Sequence, residues 1–143
     1  MAITKEEVVA LVTAFHDCSC GGGTAAEQTR FFLHPEPRIY VLHGEDVSMQ
    51  TNHEIHQKLT DERHITGDQW EITPLCDQPE RARAVGSVYW EGRPKTAPAG
   101  ALMKCIVGED WIVQRVPSGE LKIVLFINPY HHFLPDSAPI ALS

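Results

Sequence analysis

The stretch that decides the fold is Gly100–Phe133, GALMKCIVGEDWIVQRVPSGELKIVLFINPYHHF. Two long runs rich in Val, Ile, Trp and Phe flank the turn residues Pro117-Ser118-Gly119. β-Branched and aromatic side chains suit a pleated surface and the Pro/Gly punctuation sets a reversal, so this segment is predicted to be a long antiparallel hairpin. The amphipathic stretches all lie upstream of it. Helices first and a sheet afterwards predict an α+β domain: a curved, mostly antiparallel sheet wrapped around helices to form a cone with an internal pocket. The final hairpin is the most continuously apolar part and is expected at the centre of the sheet. Gly108 with Glu109-Asp110 interrupts a run too long for one straight strand, which predicts a bulge there.

Working outward, Thr4-Lys5-Glu6-Glu7 reads as a capping box. Val8, Leu11, Val12 and Phe15 then recur at helical spacing and predict a helix over Lys5–Cys18. Gly21-Gly22-Gly23 is a joint. Thr24 and Glu27 form a second capping box opening a short helix over Ala25–Phe32. Arg38–His43 reads as a strand, and Asn52–Arg63 as a third helix with Ile55 and Leu59 on its apolar side. The period then changes to two through strands Trp70–Cys76 and Arg81–Trp90. Residues 1–143 are expected to form a single domain, with 134–143 as a loosely ordered tail.

A chain of 143 residues can bury a core without metal or disulfide help. The balance of 12 basic against 19 acidic residues, a formal charge of −7, disfavours nucleic acid or an anionic membrane as partner. No apolar run approaches the roughly 18 residues of a membrane span. The N-terminus MAITKEEVVALVTAF carries acidic residues where a signal peptide would be basic, so the expected location is cytoplasmic. Cys18, Cys20, Cys76 and Cys105 are then expected to be reduced thiols. Cys18 and Cys20 lack the second pair that structural zinc usually needs, and His53 with His56 lacks a carboxylate as third ligand. No metal and no cofactor are therefore expected. No nucleophile elbow, phosphate loop or dinucleotide fingerprint occurs.

Helix, short helix, strand, helix, then a bent sheet ending in Trp111-Ile112-Val113 and Leu121-Lys122-Ile123-Val124 resembles the nuclear-transport-factor-2-like superfamily over roughly Thr4–His132. The chain is similar to its SnoaL-like branch, which includes polyketide cyclases, ketosteroid isomerases and scytalone dehydratase. His64-Ile65-Thr66-Gly67 resembles the segment in which the dehydratase places an inward histidine. Phe15-His16-Asp17 resembles that enzyme's Tyr-Asp pair, and Ile39-Tyr40-Val41 the strand carrying its second pocket tyrosine. The dehydratase's second catalytic histidine falls near Cys105. The isomerases' acids fall near Leu42 or His43 and near Trp111–Val113. Neither full constellation is present.

The resemblance implies His64 as the proton-transfer candidate, since a histidine titrates near neutrality, with His16 or Asp17 assisting. A carboxylate beside an imidazole fixes its tautomer, although adjacent helical residues point about 100° apart, so at most one of the pair faces the cavity. His64 read plainly is a cap for the third helix's C-terminus. Phe15, Tyr40, Trp70, Cys105, Trp111 and Phe126 are the expected pocket lining, mainly aromatic as such pockets are. His43, Asp110, Asn128 and His131-His132 are assigned to the rim. Two functions compete: cofactor-free proton transfer on a small hydrophobic, cyclic or aromatic molecule, in the manner of a lyase or isomerase; or a non-catalytic module that binds such a molecule or simply dimerises through its sheet. Apolar residues on both faces of Leu121–Asn128 imply a homodimer through the convex sheet face.

Overall fold

The computed structural model describes residues 2–41, 45–96 and 100–139. Three helices and eight strands follow in the order α1 (Lys5–Cys20), α2 (Ala25–Thr29), β1 (Arg38–Val41), β2 (Glu45–Ser48), α3 (Met49–Gln57), β3 (Leu59–Thr66), β4 (Glu71–Asp77), β5 (Glu80–Pro94), β6 (Met103–Arg115), β7 (Leu121–Ile127) and β8 (His131–Phe133). The strands make one sheet in the order β2-β1-β7-β6-β5-β3, with β4 on β5 and β8 on β6. Only β1 and β7 pair in parallel among the described strands. The β6–β7 hairpin sits at the centre, where burial on one face rewards its apolar content. This is the α+β architecture the sequence predicts.

Both capping boxes form: the Thr4 and Thr24 hydroxyls accept from the Glu7 and Glu27 amides, while those glutamates return to the cap amides. The helices are tied by a buried polar knot, in which Gln28 Oε1 accepts from Ser19 Oγ at 2.9 Å and Asn52 Nδ2 at 2.7 Å. Val8, Val12 and Phe15 of α1 press on Ile39, Trp111, Val113, Ile123 and Phe126 of the sheet.

Several expectations are corrected. The second helix stops at Thr29, because Phe32 leaves it to bridge Ile123 on β7. The third helix spans Met49–Gln57, capped by Ser48, whose Oγ accepts from the Thr51 amide at 3.1 Å. Leu59–Thr66 is a strand, and His64 lies within it, paired with Trp90, rather than capping a helix. The long edge of β5 offers this segment a full ladder, and pairing overrides a weak helical pattern. The β5–β6 ladder runs in register through Gly108, Glu109 and Asp110; the bulge lies between Ile112 and Val113, facing β7.

His131 and His132 belong to a separate strand, β8, rather than to the end of the hairpin. The segment beyond, read as a loose tail over 134–143, is hydrogen-bonded to the start of β6 in its described part. The Leu134 and Ala138 amides donate to Lys104 and Leu102 carbonyls. Leu42, His43 and Ile140–Ser143 lie outside the described residues.

Candidate functional site

From Met103 to Val113, every second residue of β6 is turned inward. Met103, Cys105, Val107, Glu109, Trp111 and Val113 all face the helices and are buried. Glu109 is therefore carried inward among apolar neighbours. Its side chain has no exposure to bulk solvent, and a carboxylate so placed requires donors. It has them: Trp111 Nε1 and Asn128 Nδ2 donate to Oε2, each at 2.7 Å, and His16 Nε2 lies 3.0 Å from Oε1. A carboxylate only accepts, so Nε2 carries a proton and Nδ1 is the ring atom left for a ligand.

Above this cluster is a cavity of about 160 Å³ between the sheet and the helices. Phe15, Ile39, Val88, Met103 and Phe126 give it apolar walls, and His16, Glu109 and Asn128 its polar floor. Of the six residues expected to line a pocket, Phe15, Cys105 and Phe126 border this cavity and Tyr40, Trp70 and Trp111 do not. Tyr40 alternates outward on β1 while Ile39 takes the inner side. Trp70 lies flat against Gly86, where a Cβ would enter the indole, and its Nε1 donates to the Gly67 carbonyl at 2.8 Å. Trp111 is wholly buried behind Phe15 and Phe126, with ring centroids 6.0 Å and 4.8 Å away. Burial pushes the Cys105 thiol up to about 11, which makes it a poor nucleophile at neutral pH.

The three residues named for proton transfer fall close together. The His16 and His64 rings are 5.3 Å apart, and His64 Nε2 is 3.3 Å from Asp17 Oδ1. His16 borders the cavity, while His64 and Asp17 do not. Asp17 is 69% exposed at its side chain and His64 only 7%. Burial first, and then the neighbouring His16, hold His64 below its ordinary value; Asp17 opposes this. Asn128, assigned to the rim, is buried and donates to Glu109.

Two carboxylates escaped the sequence reading. Two residues apart on one strand, Glu109 and Trp111 share a face; reading Gly108-Glu109-Asp110 as an interruption hid it. Glu62 was placed on a helix, so its approach to the cavity mouth had no local signal. There Glu62 meets His56 Nδ1 at 2.8 Å, Trp90 Nε1 at 2.9 Å and Cys20 Sγ at 3.5 Å.

The fold is shared with solved structures. One is a proposed aromatic ring hydroxylase from Novosphingobium aromaticivorans, with TM-score 0.66 at 13% identity over 94% of this chain and 90% of that one. Another is a proposed ketosteroid isomerase from Shewanella frigidimarina, with TM-score 0.54 at 17% identity over 82% of this chain and 90% of that one. No family profile and no curated protein matches the chain. The chain thus shares with these two structures an α+β fold, a mostly antiparallel sheet packed against helices. At these identities the likeness concerns the fold, and a fold of this kind does not fix a function. No helix among the described residues is long and apolar enough to cross a membrane.

Proposed function

We propose that the cavity binds a small hydrophobic molecule, cyclic or aromatic, and that His16 exchanges a proton with it, without a cofactor, in a reaction of the isomerase or lyase class. The observation that carries this reading is the His16–Glu109 pair on the floor of an apolar cavity. Glu109 fixes the ring with its proton on Nε2, so Nδ1 presents a lone pair, and Asn128 and Trp111 hold the carboxylate in place. His64, buried behind His16 and paired with Asp17, is a positioning residue. A neutral His64 spares His16 a second positive charge at 5.3 Å.

The test is deuterium exchange at the α-carbon of a panel of monocyclic and bicyclic enones in D2O, followed by proton NMR. Wild type should exchange at least one member, and His16→Asn should slow that exchange by about 10²-fold or more, as loss of a general base does. Exchange equal in His16→Asn sinks the assignment. Saturable binding without exchange favours the second reading, a binding module, which the protein donors already occupying both Glu109 oxygens support.

Two further expectations belong here as proposals. Ile65, Tyr89 and Ile106 stand side by side across β3, β5 and β6 on the outer face, and Ile65 is 52% exposed. This apolar row supports a homodimer through that face. Four free cysteines support residence in a reducing compartment such as the cytoplasm.

A further inference from the structure

At the mouth of the cavity, α1, α3 and β3 bring Cys20, His56 and Glu62 together. Their sulfur, nitrogen and oxygen ligand atoms all lie within 4.8 Å of one another. Glu62 Oε2 is 3.5 Å from Cys20 Sγ and 2.8 Å from His56 Nδ1, while Oε1 is 3.0 Å from the same nitrogen. A zinc ion about 2.3 Å from a thiolate and about 2.0 Å from a carboxylate oxygen sets those two ligands about 3.5 Å apart in a tetrahedron. The observed sulfur–oxygen separation matches that edge, while the His56–Glu62 pair, hydrogen-bonded at 2.8 Å, opens to about 3.3 Å when an ion replaces the shared proton.

The backbone aims Glu62 deliberately. Asp61, the residue before it, is the one non-glycine with positive φ among the described residues, at 54°, and the β3–β5 register shifts between Thr60 and Arg63. The extra residue turns Leu59 and Glu62, three apart, toward the same interior. Such bulges re-aim a side chain, and a left-handed non-glycine persists only where its surroundings hold it. Trp90 Nε1 then donates to Oε2 at 2.9 Å, orienting the carboxylate as an outer partner of a ligand would.

We propose that Cys20, His56 and Glu62 form a binding site for a divalent metal ion of the zinc class. Thiolate, imidazole and carboxylate are the donor types zinc takes, and a set of three leaves a fourth position open. Cys20 and His56 border both the apolar cavity and a separate surface hollow shared with Glu62 and His53. An ion thus has a route from solvent, and its open position lies at the edge of the ligand cavity. On binding, the thiol proton leaves to solvent. The expectation of no metal rested on Cys18 and Cys20 lacking a second pair and on His53 and His56 lacking a carboxylate; Glu62 brings a carboxylate to both Cys20 and His56.

The experiment uses full-length protein stripped with a chelator and dialysed. Zinc(II) is titrated by calorimetry and cobalt(II) by absorbance. Wild type should bind one zinc ion per chain and show a thiolate-to-cobalt charge-transfer band. Cys20→Ser should abolish the band and weaken zinc at least tenfold, Glu62→Gln should weaken it comparably, and Cys18→Ser should change neither. Absence of stoichiometric binding overturns the proposal, as does wild-type affinity in Cys20→Ser. Should Glu62→Gln fail to fold by circular dichroism, Cys20→Ser, a single-atom change, decides. His16→Asn should bind zinc as wild type does, so this site stands or falls separately from the proton-transfer reading.

Discussion

Replacing Glu109 by Leu removes the acceptor for three protein donors, and the cost can be worked donor by donor. Trp111 Nε1 is wholly buried, does not border the cavity, and has no substitute partner. Its desolvation alone costs about 1–3 kcal/mol. His16 and Asn128 border the cavity and can turn to water there, at a cost of about 0.5–1 kcal/mol each. Against this, the variant no longer buries a carboxylate, whose desolvation is several kcal/mol, but the lost charge-assisted bonds had offset that term. The net loss is about 3 kcal/mol, a fall in Tm of roughly 10 °C for a chain of this length. Glu109→Gln behaves differently. Its amide oxygen can keep Trp111 and Asn128, which share Oε2, while its NH2 turns to His16 Nε2. Two donors would then face each other unless the ring moves its proton to Nδ1. The expected outcome is a stability loss of about 1 kcal/mol or less, with the His16 tautomer reversed in 15N NMR and proton exchange lost. An unchanged Tm in Glu109→Leu, or Nε2 still protonated in Glu109→Gln, refutes the reasoning.

Gly86→Ala drives a methyl into the Trp70 indole and should destabilise by about 1–3 kcal/mol in urea unfolding; a neutral result would mean Trp70 is not seated there. Arg115 donates to Glu7 at 3.0 and 3.1 Å and to Glu80 at 3.3 Å, and the Glu7 carboxyl is held down at about 2, chiefly by that hydrogen bond. Because the folded value is depressed, the stabilisation is present above pH 4.5 and is lost as pH falls toward about 2. Glu7 is 36% exposed, so screening limits the effect to about 1 kcal/mol; Arg115→Gln should show that loss at pH 7 and little difference from wild type at pH 2. Ile106→Lys on the outer apolar row should convert a dimer to monomer in solution scattering, and a monomeric wild type at high concentration would end the dimer proposal.

What the sequence made legible follows the range of the interactions. Capping boxes at Thr4 and Thr24 are local, and both form. The β-branched and aromatic runs within Leu121–Ile127 and Met103–Arg115 suit a pleated surface whatever they pack against, and both are strands at the sheet centre. The helical reading failed over Leu59–Arg63 because the state of that segment is set by the neighbouring β5, more than twenty residues away. Ser48 was missed as a cap because the helix was started too late, at Asn52. The site divides the same way. His16, His64 and Asp17 were found and do cluster, but the partner that orients His16 comes from β6, 93 positions on. No local pattern around His16 points to it. The alternation within β6 did, once Glu109 is counted as one more inward residue.

Glu109 and Glu62 show one device used twice on the same cavity. Each carboxylate lies beside a histidine and takes an indole N–H on Oε2, from Trp111 in one case and Trp90 in the other. An indole can only donate, so it commits that oxygen without competing for the histidine. What differs is the remaining neighbour and the access. At Glu109 it is the Asn128 amide, another donor, and the carboxylate itself is fully buried, which suits an orienting group that never leaves its partners. At Glu62 it is the Cys20 thiol, a group that becomes a ligand when it loses its proton, and a surface hollow lies beside it. Exchanging these third neighbours separates the two roles. Asn128→Cys should not confer zinc binding on the Glu109 cluster, because an ion would have to cross the apolar cavity to reach its floor, whereas Cys20→Asn should leave a satisfied but metal-blind cluster at the mouth. Zinc uptake by Asn128→Cys together with Cys20→Asn would show that access, not the donor set, had been misjudged.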